Sequence, residues 1–252
     1  MGRAPRPDEA FQPIPVRAPE QAPLRFALRC AVDLQLLTIH RFLRPRLARL
    51  QGRVLDVGAG EAPWRGMLGH VDYVGIDVES ADDFGMRRKA DVTYYDGRVI
   101  PFTDASFDHV LSVEVLEHVE APERFVAELA RVLRPGGSLV LTVPWSARLH
   151  HLPHDHHRFT RFRLQALFVS GGFRDIEIEE RGSDVAVVAN KLIVMVIALF
   201  KSRGIALVWR WPLAVLLAPF AIVFTAAAHV SLRADLGSRL DPLGYGLTAT
   251  RA

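Results

Sequence analysis

The sequence predicts an α/β fold, a doubly wound and mostly parallel sheet with an antiparallel final strand and a hydrophobic helical insertion before it. Three observations predict this. Between Arg53 and Gly182 short apolar runs alternate with helical patterns, the order of a parallel sheet covered on both faces. The first run ends in a glycine turn and the second in a carboxylate. Beyond Val185 the composition turns apolar as far as Leu232, after which a strand pattern returns at Tyr245-Gly246-Leu247-Thr248-Ala249-Thr250.

The 252 residues suffice for one full domain with an appendage. Residues 1–23 carry six prolines and no apolar signal-peptide core, so they read as a disordered Pro-rich tail without a leader. In residues 24–50, Leu24, Leu28, Val32, Leu36, Ile39, Leu43 and Leu47 recur at helical spacing among six arginines. This is a basic amphipathic helix, with a break expected near Pro45, that packs on the domain edge or lies on a membrane surface. Residues 51–182 form the core. Its strands are expected at Val54–Val57, Tyr73–Asp77, Val110–Val113, Leu139–Val143 and Ile176–Glu179. Its clearest helix runs from Pro122 to Leu133, opened by proline and stopped by Arg134-Pro135-Gly136-Gly137. Residues 183–238 form the insertion: Val185–Leu232 has no acidic residue, and Trp211–Leu232 has no formal charge over a length able to cross a bilayer. Two buried core helices are the alternative, since Pro212 and Pro219 interrupt the run. Residues 239–252 return as the final strand.

Composition narrows the function. Hydrophobic residues make up 50% and mean hydropathy is +0.14, which excludes a disordered chain and leans toward membrane contact. A net charge of +3, carried by arginine with lysine only at Lys89, Lys191 and Lys201, gives no nucleic-acid footprint. Cys30 is the single cysteine, so no internal disulfide forms and a reducing cytoplasm is acceptable.

The strand Val54-Leu55-Asp56-Val57 runs into Gly58-Ala59-Gly60, where backbone can approach a ligand. Asp77 closes the next strand 21 residues after Asp56, the spacing at which a carboxylate accepts the two hydroxyls of a ribose. A dinucleotide fingerprint needs a third glycine over a pyrophosphate, and Ala62-Pro63 stands there instead. S-adenosylmethionine, which has no phosphate, fits better.

With the segments Asp96-Gly97-Arg98-Val99-Ile100-Pro101-Phe102, Glu114-Val115-Leu116-Glu117-His118 and Arg131-Val132-Leu133-Arg134-Pro135-Gly136-Gly137, the chain resembles the class I S-adenosylmethionine-dependent methyltransferases of the type 11 group. The likeness covers residues 51–182. It implies that Asp56, Gly58 and Gly60 hold the methionine part, Asp77 the ribose and Asp96 the adenine amine.

Five histidines lie in His150-His151-Leu152-Pro153-His154-Asp155-His156-His157, at the cofactor's methyl end. His151 and His154 are the expected catalytic side chains for a hydroxyl acceptor; a loop held by hydrogen bonds is the alternative. Certain RNA-terminal and quinone methyltransferases hold a divalent metal through a segment similar to Glu114, Glu117 and His118. Here that segment is read as a strand-end cap without metal, although the histidine loop leaves a metal open.

The expected function is methyl transfer at the cytoplasmic face of a membrane, from S-adenosylmethionine to a lipid-linked or amphiphilic small-molecule acceptor such as a glycan hydroxyl. A quinone ring and a non-catalytic cofactor-binding module are the alternatives. No nucleic-acid partner is expected.

Overall fold

The computed structural model describes residues 14–202 and 204–252; residues 1–13 of the expected tail and Arg203 lie outside them. Seven strands form one sheet in the order β3-β2-β1-β4-β5-β7-β6. They are β1 (Arg53–Val57), β2 (Asp72–Val78), β3 (Val92–Tyr95), β4 (Phe107–Val113), β5 (Leu133–Pro144), β6 (Phe173–Arg181) and β7 (Gly244–Arg251). β7 runs antiparallel to both neighbours, while β1 to β5 pair in parallel.

Alternating side chains feed two apolar layers, as the period of a strand requires. Leu55, Val110, Leu139 and Leu141 face a layer built with Phe125 and Leu129 of α3 (Pro122–Val132) and Leu164 and Phe168 of α4 (Arg161–Ser170). Their neighbours Val54, Leu111 and Val140 face Leu36, Ile39, Phe42, Leu43 and Leu47. Those five belong to α2 (Leu34–Leu47), which follows α1 (Pro23–Val32). The expected single helix is thus two, and the break falls at Asp33 instead of Pro45. The Asp33 carboxylate accepts from Leu36 N–H at 3.0 Å and caps α2, whereas Pro45 is accommodated one turn from the end. In the expected tail, residues 14–22 form no helix or strand, yet Ala18 is buried and Val16 packs beneath α2. The sequence reading missed β3, a four-residue edge strand, and α4, whose arginines interrupt its apolar pattern.

Between β6 and β7 the chain forms a helical hairpin, α5 (Asp184–Phe200) and α6 (Leu207–Ala234). α6 is the one helix among the described residues long and apolar enough to cross a membrane by length and composition. Ala214, Ala221 and Ala228 of α6 are buried at seven-residue intervals, as are Ala189 and Val196 of α5, so small side chains let the two backbones approach. At the base, Ala186, Val187, Ala189 and Ala228 pack with Leu34 and Leu243, and Ser183 Oγ lies 2.8 Å from Ser231 Oγ. The hairpin is therefore rooted in the core where α2 meets the start of β7.

Candidate cofactor and acceptor site

β1 pairs with β2 on one side and β4 on the other, so the chain's direction of travel reverses between β1 and β4. The crevice at the carboxyl ends of such strands is where open α/β sheets bind ligands. Gly58–Gly60 leaves β1 at that end, and Glu114–His118 leaves β4 beside it.

Gly58 and Gly60 have φ of +76° and +55°, the left-handed region that L side chains avoid. A Cβ at Gly58 would stand 2.3 Å from Val115 Cγ2, so that glycine is also required by the close approach of the β4 exit. The turn is tied to β2 by Gly58 and Ala59 N–H, both donating to the Ile76 carbonyl at 2.9 Å. Gly60 N–H donates to Asp77 Oδ2 and Val78 N–H to Asp77 Oδ1, each at 2.7 Å. Burial raises the Asp77 carboxyl above its ordinary range. The glycine turn and the β2 carboxylate are thus one hydrogen-bonded unit.

Asp56 is set back from the turn. It is fully buried and accepts from Tyr73 Oη at 2.8 Å, and burial pushes its pKa up to about 7. Asp96 lies on the surface, where Oδ1 accepts from Arg98 and Val99 N–H at 2.9 and 3.3 Å. These bonds hold its carboxyl below the usual range. Asp56 therefore braces β1 against β2, and Asp96 shapes the turn after β3.

The histidine loop folds back onto the β4 exit. His156 and His157 N–H both donate to the Glu117 carbonyl, and His118 Nδ1 donates to the His154 carbonyl at 2.8 Å. Phe84 stacks against His118, His151 and His154 with ring centroids 5.2–5.6 Å apart, and Met86 Sδ approaches Gly60. The segment after β2 therefore covers the glycine turn and the histidines together. Neither Phe84 nor Met86 was legible as a site residue, since both stand in an irregular stretch with no pattern. Burial lowers the pKa of His118 and His151 to about 4, so both rings are neutral at pH 7.

Glu114 is strained at φ +54°, and its Oε1 accepts from Arg181 Nη2 at 2.8 Å. Arg181 is buried and also donates to the carbonyls of Val143 and Tyr245 and to Thr38 Oγ1. Glu114 is thus committed to a structural ion pair that joins β4, β5, β7 and α2.

Residues 55–141 match the family model described as a methyltransferase domain, of the type 11 group. Residues 55–141 thus carry a methyltransferase domain. The methyltransferase core is similar to a phosphatidylethanolamine N-methyltransferase of Cereibacter sphaeroides, with 34% identity over 36% of this chain and 49% of the relative. It is also similar to a demethylmenaquinone methyltransferase of Renibacterium salmoninarum, with 37% identity over 35% of this chain and 40% of the relative. The chain therefore matches half or less of the length of each. A solved S-adenosylmethionine-dependent methyltransferase from Thermotoga maritima shares the fold, with a TM-score of 0.52 at 13% identity over 93% of this chain and 98% of that one.

S-adenosylmethionine is the cofactor of this domain class, and the turn fits it. The methyltransferase glycines leave a cradle that a Cβ would strain, the Asp77 carboxylate stands at its edge, and the turn offers no run of N–H groups at a helix start for a pyrophosphate.

Proposed function

We propose that the protein is a membrane-associated S-adenosylmethionine-dependent methyltransferase, acting from the cytoplasmic face on a lipid-linked or otherwise amphiphilic acceptor such as a glycan hydroxyl. The observation that carries this reading is the outer surface of the hairpin. Val215, Phe220 and Ile222 are 61%, 56% and 69% exposed, within a continuous apolar face that also includes Val208, Leu216 and Val223. An apolar area of this kind marks a membrane or interaction surface. α1 extends it: Leu24, Leu28 and Val32 form one exposed row, and the Ala31 carbonyl lies 2.9 Å from His229 Nε2 of α6. The membrane-surface reading thus attaches to α1, and the packing reading to α2.

The depth of insertion follows from the root. α5 is held in the core as far as Ala189, leaving its last eleven or so residues free, about 16 Å of helix. That is roughly half the ~30 Å hydrocarbon thickness, and although α6 rises about 32 Å from Ala228 at the root to Leu207, α5 is the limb too short to cross. The hairpin is therefore read as re-entrant, dipping into one leaflet and returning the chain to β7 on the side it left.

Bound S-adenosylmethionine supplies an electrophilic methyl on a sulfonium. A hydroxyl acceptor would take that methyl carbon on oxygen while the sulfur keeps the bonding pair, and the hydroxyl proton must leave. His151 and His154 are the proposed groups at that end, with Asp77, Gly58 and Gly60 fixing the cofactor, so that alignment is the chain's main contribution. A quinone ring is the second acceptor class, favoured by the likeness to the demethylmenaquinone enzyme.

The decisive experiment incubates the protein with membranes and methyl-labelled cofactor. Label is expected in the lipid extract, and its fractionation separates glycolipid from quinone. A Val215→Asp/Phe220→Asp variant should bind the cofactor normally yet lose vesicle partitioning by on the order of a hundredfold, since two large apolar side chains no longer transfer. Equal flotation of variant and wild type would refute the membrane role. Cofactor binding without labelled product would leave a non-catalytic binding module.

A further inference from the structure

The neighbourhood of Glu117 is short of donors. Its side chain is fully buried, yet neither carboxylate oxygen has a hydrogen-bond partner. Burial without a partner costs such a group heavily. Around it stand His118 and His150, with Nε2 atoms 3.6 and 3.8 Å from Glu117 Oε1.

The other nitrogen of each ring fixes its tautomer. His118 Nδ1 is 2.8 Å from the His154 carbonyl, which can only accept. His150 Nδ1 lies 3.2 Å from both the Arg148 carbonyl and Asp155 Oδ2. Each Nδ1 therefore carries the hydrogen, and each Nε2 turns a lone pair toward the carboxylate. Asp155 is itself clamped by Arg158 at 2.6 and 2.8 Å. An outer ring of carbonyl and carboxylate acceptors behind the imidazoles is the arrangement that orients histidine ligands around a metal. His151 adds a buried Nδ1 with no partner, at a residue strained to φ +51°. One ligand atom from each of His118, His150 and His151 falls within a sphere where all lie within 4.8 Å of one another.

Lone pairs facing lone pairs in a buried site repel unless a positive charge stands between them. A single proton on Glu117 could serve only one of the surrounding nitrogens. We propose that His118, His150, His151 and Glu117 bind a divalent transition-metal cation. Three imidazoles and one carboxylate suit zinc, cobalt, nickel or iron better than magnesium or calcium, which prefer oxygen throughout. Tetrahedral donors at about 2.1 Å from a metal sit about 3.4 Å apart. His118 and His150, with Nε2 3.6 and 3.8 Å from Glu117 Oε1, are therefore already near ligand spacing. His151, whose donor lies within 4.8 Å of theirs, must draw in to complete the set. Glu114 is not a ligand, since Arg181 holds it. The site itself is independent of the methyl-transfer reading. Its use in turnover rests on that reading: Phe84 covers these histidines and Met86 the glycine turn, so the cation would stand where an acceptor oxygen can reach it. His151 then acts through the cation, and His154 remains to take the proton.

The test uses full-length, tag-free protein stripped with chelator and titrated with Co2+, read by its visible d–d absorption. One equivalent should bind with the intense spectrum of a low-coordinate site, and Zn2+ should displace it. Glu117→Gln and His150→Ala should each weaken binding on the order of a hundredfold, outer-ring changes alone being worth 10- to 100-fold. Asp77→Ala should bind cobalt as the wild type does. X-ray absorption of the zinc-loaded wild type needs no variant and should show imidazole scattering at about 2.0–2.1 Å. Absence of a stoichiometric cobalt spectrum, zinc surrounded by oxygen alone, or unchanged affinity in either folded ligand variant would overturn the site. Calorimetry with S-adenosylmethionine on the stripped protein is read separately, so loss of cofactor binding with cobalt intact would refute the methyltransferase reading and leave the metal site standing.

Discussion

The core and the hairpin solve opposite solvation problems. Between residues 51 and 182 the described interior contains ionisable groups, Asp56, Glu117, His151 and Arg181, while large exposed apolar side chains are few. In the hairpin, among the described residues, the one buried polar side chain is Ser231, and the large apolar side chains of α6 point outward along most of its length. In the core, Asp56 is answered by Tyr73 and Arg181 by Glu114, while Glu117 is buried without a hydrogen-bond partner. The hairpin keeps its smallest residues inside and its largest outside, the arrangement that the proposed membrane contact would match. A single chain thus joins a domain with an apolar interior to a hairpin with an apolar exterior, through Ser183, Ser231 and the contacts of Leu34 and Leu243.

Three measurements would break or sharpen this contrast. The largest effect concerns charge inside the core. Asp56 titrates at about 7 in the folded chain and at about 3.9 in an unfolded one. Between those values the folded state holds more protons than the unfolded, so the contribution of Asp56 to stability falls as pH rises from about 4 to about 7 and is constant above that. Asp56→Asn removes this slope. The stability difference between wild type and variant should move against the wild type by up to about 4 kcal/mol across that window, measured by urea unfolding at a series of pH values. The difference isolates Asp56, because His118 and His151, with lowered pKa values, give the opposite slope in both proteins. Parallel profiles would mean that Tyr73 compensates the buried charge completely.

Next in size is the edge of the cofactor crevice. Asp77→Ala should weaken S-adenosylmethionine binding roughly a hundredfold, about 3 kcal/mol for two charge-assisted hydrogen bonds lost together, with a modest fall in melting temperature because Gly60 and Val78 N–H lose their acceptor. Calorimetry giving an unchanged affinity would remove the ribose role from Asp77.

The smallest signal tests whether the hairpin dips or crosses. Cysteine at Ser202, in the tip, and at Leu240, which is 93% exposed just before β7, should both resist a membrane-impermeant thiol reagent in intact cells. Cys30 is buried and adds little background. Labelling at Ser202 alone would indicate two complete crossings, and labelling at Leu240 would place the β7 side of the core outside.

Much of this architecture follows from local pattern. The alternation of short apolar runs fixed β1, β2, β4 and β5, because a strand covered on both faces is apolar over most of its length. The apolar–polar alternation of Ile176-Glu177-Ile178-Glu179 fixed β6, a half-exposed edge strand. The glycines after β1 marked the crevice, since few other residues accept φ near +60°. The change of composition after Val185 marked the hairpin, and the pattern after Asp241 anticipated β7. Other features have no local signature. β3 is held by its register on β2, and Asp33 outranked Pro45 as the break between α1 and α2 because its carboxylate found the N–H of Leu36.

The carboxylates show most clearly where sequence ends and tertiary structure begins. Glu114 and Glu117 stand three residues apart and read alike in the sequence. An arginine 67 residues further on reaches the first, and a loop carrying His150 closes over the second. Residue type and spacing determined that acids would leave β4 at the crevice. Only the three-dimensional packing decided which one is neutralised by a fixed cation and which is left facing histidine lone pairs, because electrostatic pairing depends on distance in space and on burial, neither of which a local pattern encodes.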